Sequence, residues 1–196
     1  MTEQLVPEAI NFKIVNSGVV SDAFTSLGVR DFEGAANYIR QLPYGRNANK
    51  LDLLTVFSDD CGTCSTKHAL LKLLANEQQV GDELELVMGM IKMSAANTPR
   101  VKHILEQHEL PYMPEAHMYL KYNGEVLDYT ASGFNISGYD KADVISETDI
   151  EPDQIADHKV NYQKAFMKQW LIEHPEIPYN LDELFAIRET CIKALG

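Results

Sequence analysis

Residues 116–130 constrain this chain more tightly than any other stretch: Ala-His-Met-Tyr-Leu-Lys-Tyr, then Asn-Gly, then Glu-Val-Leu-Asp-Tyr-Thr. Asn123-Gly124 is a preferred centre for a two-residue type I′ turn, in which both central residues take positive φ. That turn predicts a hairpin pairing Tyr122 with Glu125, Lys121 with Val126, Tyr119 with Asp128 and His117 with Thr130. Alternation then puts Met118, Leu120, Tyr122, Leu127 and Tyr129 on one apolar, core-seeking face. His117, Tyr119, Lys121, Asp128 and Thr130 share the other. His117 and Asp128 become diagonal neighbours about 7 Å apart, a gap that side chains bridge. A carboxylate bonded to one imidazole nitrogen fixes the tautomer and frees the other nitrogen for a proton. A merely solvated polar strand face is the plain alternative.

Around this hairpin the elements follow from caps and periodicity. Residues 31–41 read as a helix with Asp31 as N-cap and Phe32, Ala35, Ala36 and Ile39 as its buried stripe. Residues 47–50 read as loop, and 51–57 as a short apolar segment of either type. A helix is expected from Cys64 to Glu77, capped by Thr63 and burying Leu70, Leu71, Leu73 and Leu74. Residues 83–93 read as a central strand. Thr98-Pro99 opens a helix to about residue 108. Residues 132–143 read as loop and 144–145 as a short strand. Two helices close the chain, at about 154–173 and 181–195. The expected fold is α+β, with helices packed on an antiparallel sheet.

One domain accounts for all 196 residues, with a core at about 51–131 and helical flanks at 1–50 and 150–196. The hydrophobic share of 45% and charged share of 23% are those of a folded protein. A formal net charge of −12 argues against a nucleic-acid partner, which favours a basic face. No stretch approaches the roughly 18 apolar residues of a membrane span, so no membrane partner is expected. Residues 1–8 lack the basic start and apolar run of a secretory signal. Three cysteines make no disulfide framework, so the expected compartment is the cytoplasm.

Cys64 falls where loop becomes helix. Unpaired N–H groups there favour an anion, lowering a thiol's pKa and providing donors for an oxyanion. Asp59 and Asp60 oppose this, so a histidine partner decides the thiol's reactivity. A cysteine on an apolar helix also has a plain reading, as core.

The run Gly62-Thr63-Cys64-Ser65-Thr66-Lys67-His68-Ala69-Leu70-Leu71 resembles the cysteine helix of the transglutaminase-like superfamily. Glu115-Ala116-His117-Met118-Tyr119-Leu120 resembles its histidine strand, and Val126-Leu127-Asp128-Tyr129-Thr130 its aspartate strand. The order Cys, His, Asp is that family's order, and the likeness spans about residues 62–130. Met118 departs from it, standing where an aromatic residue often follows the histidine. There is also no calcium loop of the D-x-D-x-D-G kind. The resemblance implies a transglutaminase-like (papain-like) core in which the antiparallel sheet packs against the cysteine helix; the helix start, the strand alternation and the Asn-Gly register put that helix on the face carrying His117 and Asp128. It further implies thiol-dependent acyl chemistry on a peptide, protein or small amide, without cofactor or metal. Cys64 attacks a carbonyl carbon, His117 takes the thiol proton and Asp128 orients the ring. Asn47 and Asn49 are candidates for completing the oxyanion hole.

Other readings stay open. Cys61-Gly62-Thr63-Cys64 is a C-x-x-C motif after the apolar residues 53–57 and before a helix, the setting of a thioredoxin-like thiol–disulfide oxidoreductase. A catalytically silent transglutaminase-like binding module is another. Cys61, Cys64 and His68 with a fourth ligand are a weaker zinc candidate, because only one C-x-x-C is present. His68, one turn from Cys64, is a candidate base, a helix-surface residue or a support behind the reactive groups. Cys191 reads as packing. Tyr162, Phe166 and Trp170, at four-residue spacing, read as core, with a cover over the catalytic groove as the alternative.

Overall fold

The turn at the centre of the hairpin takes the backbone its sequence demands: Asn123 has φ 51° and Gly124 has φ 79°. The computed structural model describes residues 10–130 and 141–196. In it, β2 (Met113–Tyr122) and β3 (Glu125–Leu127) pair Tyr122 with Glu125, Lys121 with Val126 and Leu120 with Leu127. β1 (Leu84–Met93) runs antiparallel to all of β2, and β4 (Val144–Asp149) pairs antiparallel with its other edge. The order is β3-β2-β1-β4, which makes β1 the central strand expected from its apolar run.

Two features of the hairpin differ from the sequence reading. The second strand stops at Leu127, not Thr130. Asp128 Oδ1 accepts hydrogen bonds from Thr130 N–H at 2.9 Å and Thr130 Oγ1 at 2.5 Å, a local turn that competes with ladder pairing. The chain therefore curls off the sheet, and β3 pairs with β2 only from Leu120 to Tyr122.

The second difference concerns helix α4 (Cys64–Glu77), which was expected on the His117 face. Its Ala69, Leu70, Leu71 and Leu74 instead join a core with Met88, Ala116, Met118 and Leu120 on the apolar face. That is what alternation favours, since this face carries the larger apolar area, while the His117 face holds the smaller cluster of Val87, Ile91 and Tyr119. α1 (Val19–Ser26) and α2 (Phe32–Gln41) complete this cluster through Val20, Phe24, Phe32 and Ile39. Asp31 caps α2 by accepting from Gly34 N–H at 2.8 Å. Thr63 caps α4, and Thr66 Oγ1 accepts from Thr63 N–H at 3.1 Å.

Residues 51–57, which were of either type, contain turns and the start of α3 (Thr55–Ser58) but no strand. Pro99–Val101 is a 3-10 turn leading into α5 (Lys102–Gln107). α6 (Asp157–Glu173) and α7 (Leu181–Lys193) gather with α5 around Met93, Met113, Met167 and Trp170. Phe166 packs against both clusters, Tyr162 against the first, and Trp170 lies within the second, so these three rings are core. Cys191 is fully buried in the second cluster. The part of the expected 132–143 loop before residue 141 lies outside the described residues; Lys141–Asp143 form a 3-10 turn. The architecture is α+β, a four-stranded antiparallel sheet with seven α-helices among the described residues.

Gly89 occupies the middle of β1, opposite His117. A Cβ there would lie 2.8 Å from the Tyr119 hydroxyl, so the absent side chain is where the phenol rests. Tyr119 donates to Glu147 and its ring lies 6.0 Å from the His117 ring. Gly89→Ala is therefore expected to destabilise the fold by about 1–3 kcal/mol through overpacking. Urea unfolding checks this: the midpoint falls, whereas an unchanged midpoint contradicts the packing described.

Candidate active site

α4 brings Cys64 to the edge of β2 beside His117 and Met118, past the end of β3. There the Met118 backbone N–H and the His117 ring both hydrogen-bond the sulfur. A longer β3 would have occupied that edge, so the Asp-x-Thr turn makes room for the thiol. His117 Nε2 donates to Asp128 Oδ2 at 2.9 Å, which leaves Nδ1 as the ring nitrogen for Cys64. Cys64, His117 and Asp128 are 4%, 4% and 6% exposed, so their charges interact with little screening by water. The structure brings together all three residues singled out in the sequence.

Electrostatics within the group follow from burial opposed by specific neighbours. Burial pushes the Cys64 thiol up, but the Lys159 ammonium and then the His117 ring bring it down to about 6. Burial pulls His117 down, and Asp128 and Cys64 outweigh it, raising the imidazolium to about 10. Burial alone would raise the Asp128 carboxyl; His117, with help from Thr130, holds it well below the usual carboxylate range. Between those two values the favoured resting state is a thiolate beside an imidazolium. The opposition expected from Asp59 and Asp60 instead falls on Cys61, which burial and then Asp59 push up.

His68 stands behind this group, and its tautomer is fixed. Nε2 accepts from Tyr129 N–H at 2.7 Å, so the proton is on Nδ1, which donates to the Cys64 carbonyl at 2.8 Å. Burial pulls its pKa down to about 4, and the ring is neutral at neutral pH. The 3.5 Å approach to Asp128 Oδ1 is accordingly no ion pair. His68 is fully buried and locks α4 to the Asp128 turn; it is neither a surface residue nor a free base. With both nitrogens used, it also has none for the proposed zinc site. Lys67 adds a second tie, donating to the carbonyls of Leu42 and Thr130 at 2.6 Å each.

The oxyanion candidates from the N-terminal loop fare differently. Asn47 Nδ2 donates to the Cys61 carbonyl at 2.9 Å and Oδ1 accepts from Thr66 Oγ1 at 2.7 Å. Its amide is consumed in bracing the loop against α4, so it is not free to bind an oxyanion. Asn49 is exposed, and its Oδ1 accepts from Leu51 N–H at 3.1 Å. Both line the same cavity as Cys64 without approaching the thiol by any hydrogen bond among the described residues. The N-terminal amides of α4 are the remaining sequence-derived donors.

That cavity, about 560 Å³, lies between the loop 44–51, the start of α4, and α6 and α7. Its size is that of a small-molecule or peptide-segment site. One wall alternates in charge. Arg188 Nε and Nη2 hold the buried Glu115 at 2.7 and 2.5 Å, and its Nη1 donates to Glu189 at 2.7 Å. Arg46 reaches Glu189 at 2.6 Å. Lys159, on α6, donates to Ser65 Oγ at 2.8 Å and approaches Cys64 Sγ at 3.9 Å.

Lys159, Glu115 and Arg188 were not anticipated. A signal for Lys159 existed. Lys159, Gln163, Met167 and Trp170 form the buried stripe of α6, and polar residues on such a stripe need partners. The C-x-x-C reading loses its setting, because among the described residues no strand precedes Cys61, and the described strand pairs are all antiparallel. Cys61 and Cys64 are both free thiols. No described helix is long and apolar enough to cross a membrane. Comparisons of the chain with family models, curated proteins and solved structures found no match.

The pH dependence follows from the lowered thiol. Thiolate exists above about pH 6 at Cys64 and is lost as pH falls through that value. Cys61 is shifted upward, and burial drives Cys191 to about 11. Limiting iodoacetamide should therefore label Cys64 first, with a rate that rises through a midpoint near pH 6 and a midpoint that moves up in His117→Ala. Peptide mapping checks this; preferential labelling of Cys61 at pH 7 contradicts it.

Proposed function

We propose that this chain is a cysteine-nucleophile hydrolase or acyltransferase of transglutaminase-like (papain-like) type. The observation that carries the proposal is the buried sequence of contacts from Asp128 through His117 to Cys64, ending on a cavity. The α+β arrangement of a cysteine-headed helix against an antiparallel sheet supports the same reading, as does the order Cys, His, Asp along the chain.

The chemistry runs in two halves. The Cys64 thiolate attacks the carbonyl carbon of an amide or ester, a C–S bond forms and the carbonyl π pair moves onto oxygen. As the tetrahedral species collapses, the bond to the leaving group breaks and His117 delivers its proton to that group. A thioester on Cys64 and a neutral His117 remain. Water or an amine then attacks the thioester while His117 Nδ1 takes its proton. The C–S bond breaks and the thiolate–imidazolium pair is restored. Asp128 stays ionised throughout and holds Nε2–H, so Nδ1 exchanges the proton. The acyl donor is a peptide, a protein segment or a small amide of a size to enter the cavity.

Incubation with a panel of amide and ester acyl donors, followed by intact-mass measurement and peptide mapping, tests the proposal. An acyl adduct is expected on Cys64 and absent in Cys64→Ala. His117→Ala should lower its formation by about 10²–10⁴-fold, while Cys61→Ser leaves it within about twofold. Failure of every donor to acylate Cys64 would sink the reading. Efficient disulfide reduction that vanishes in Cys61→Ser would replace it with the redox alternative.

A further inference from the structure

Resting on that acyl-transfer reading, we propose that Lys159 is a catalytic residue, its ammonium serving as the oxyanion-binding electrophile of the reaction. The case begins with the cost of its position. Lys159 is 7% exposed, and a buried ammonium needs an anion or dense hydrogen bonding. Among the described residues it joins no carboxylate in an ion pair; its polar partners are the Ser65 hydroxyl and the Cys64 sulfur. The nearby Glu115 carboxylate attracts Lys159 through space, but its hydrogen bonds go to two nitrogens of Arg188 and to Gln163, and it makes no ion pair with Lys159. Lys159 is therefore matched to an anion that forms at the Cys64 end of the cavity.

Two such anions arise at that point. One is the resting thiolate, 3.9 Å from Nζ. The other is the alkoxide of the tetrahedral species, two covalent bonds from Sγ on the cavity side, where Lys159 lines the wall. An ammonium in van der Waals reach of the sulfur comes within hydrogen-bond reach of that oxygen, the requirement for stabilising it. As charge moves from sulfur to oxygen, the same cation follows it with little movement. Ser65 Oγ, 2.8 Å from Nζ and 3.9 Å from Sγ, fixes the direction of the ammonium during that shift. His117 cannot fill this role, because its Nδ1 proton is committed to the leaving group. Asn47 cannot, because its amide is used in the loop.

A lysine that acts only by favouring thiolate makes a different prediction from one that binds the oxyanion. The two are separated by comparing reactions per thiolate, with the thiolate measured by its absorbance near 240 nm. Acylation by p-nitrophenyl acetate passes through an oxyanion. Disulfide exchange with methyl methanethiosulfonate does not. In Lys159→Met, the acylation rate per thiolate should fall by about 100-fold, while disulfide exchange per thiolate stays within about threefold. Lys159→Arg should recover part of the acylation. Lys159→Gln, which retains a donor to Ser65, gives the same comparison if the Met variant does not fold. Equal losses in both reactions, or acylation per thiolate unchanged, would overturn the role of Lys159. Absence of Cys64 acylation in the unaltered protein would overturn the acyl-transfer reading itself, and this proposal with it.

Discussion

The hydrogen bond from His117 Nε2 to Asp128 Oδ2, 2.9 Å long and closed to solvent, is the contact on which the site depends. A carboxylate in that position is stable only if each of its oxygens is satisfied. Oδ1 takes the amide and hydroxyl of Thr130, and Oδ2 takes the imidazole. The first pair of bonds ends β3 and turns the chain toward α4, where Lys67 and His68 catch it. The remaining bond sets the ring so that its other nitrogen meets the thiol. One buried charge thus shapes the backbone and defines the proton path.

The cations around the thiol form a second layer of the same logic. Burial by itself opposes a thiolate, and the helix start contributes only a modest favourable field. His117 and Lys159 supply full positive charges from a strand and from a distant helix. Those charges differ in what they can do next. The imidazolium has a transferable proton and a carboxylate behind it, whereas the ammonium has a hydroxyl behind it and an open cavity in front. Division of labour between proton transfer and charge stabilisation follows from those surroundings.

Much of this was legible in the sequence because it depends on local rules. The Asn-Gly turn fixed the hairpin register, Asp31 and Thr63 announced their helices, and the alternation through Met118 and Leu120 identified the apolar face. α1 carries little local signal, because its eight residues, from Val19, follow a Gly18 N-cap that makes no side-chain cap bond. The end of β3 was missed because alternation carries no information about a side chain that competes with the ladder. Asn47 misled because a polar residue near a reactive group is as easily spent on the backbone as on a substrate. The stripe of α6 marks Lys159 as buried, but its meeting with Cys64, and that of Arg188 with Glu115 of β2, comes only from tertiary packing of α6 and α7 on the sheet.

The charge state of His117 tests the central claim most directly. Nitrogen-15 NMR of the imidazole rings resolves protonation at each nitrogen separately. At pH 8, well above the ordinary histidine value of about 6.5 and below the raised value of about 10, His117 should carry protons on both nitrogens. In Cys64→Ala, without the thiolate, the ring should lose its second proton at lower pH. A neutral His117 at pH 8 in the unaltered protein, with its titration unmoved in Cys64→Ala, would contradict the thiolate–imidazolium pair.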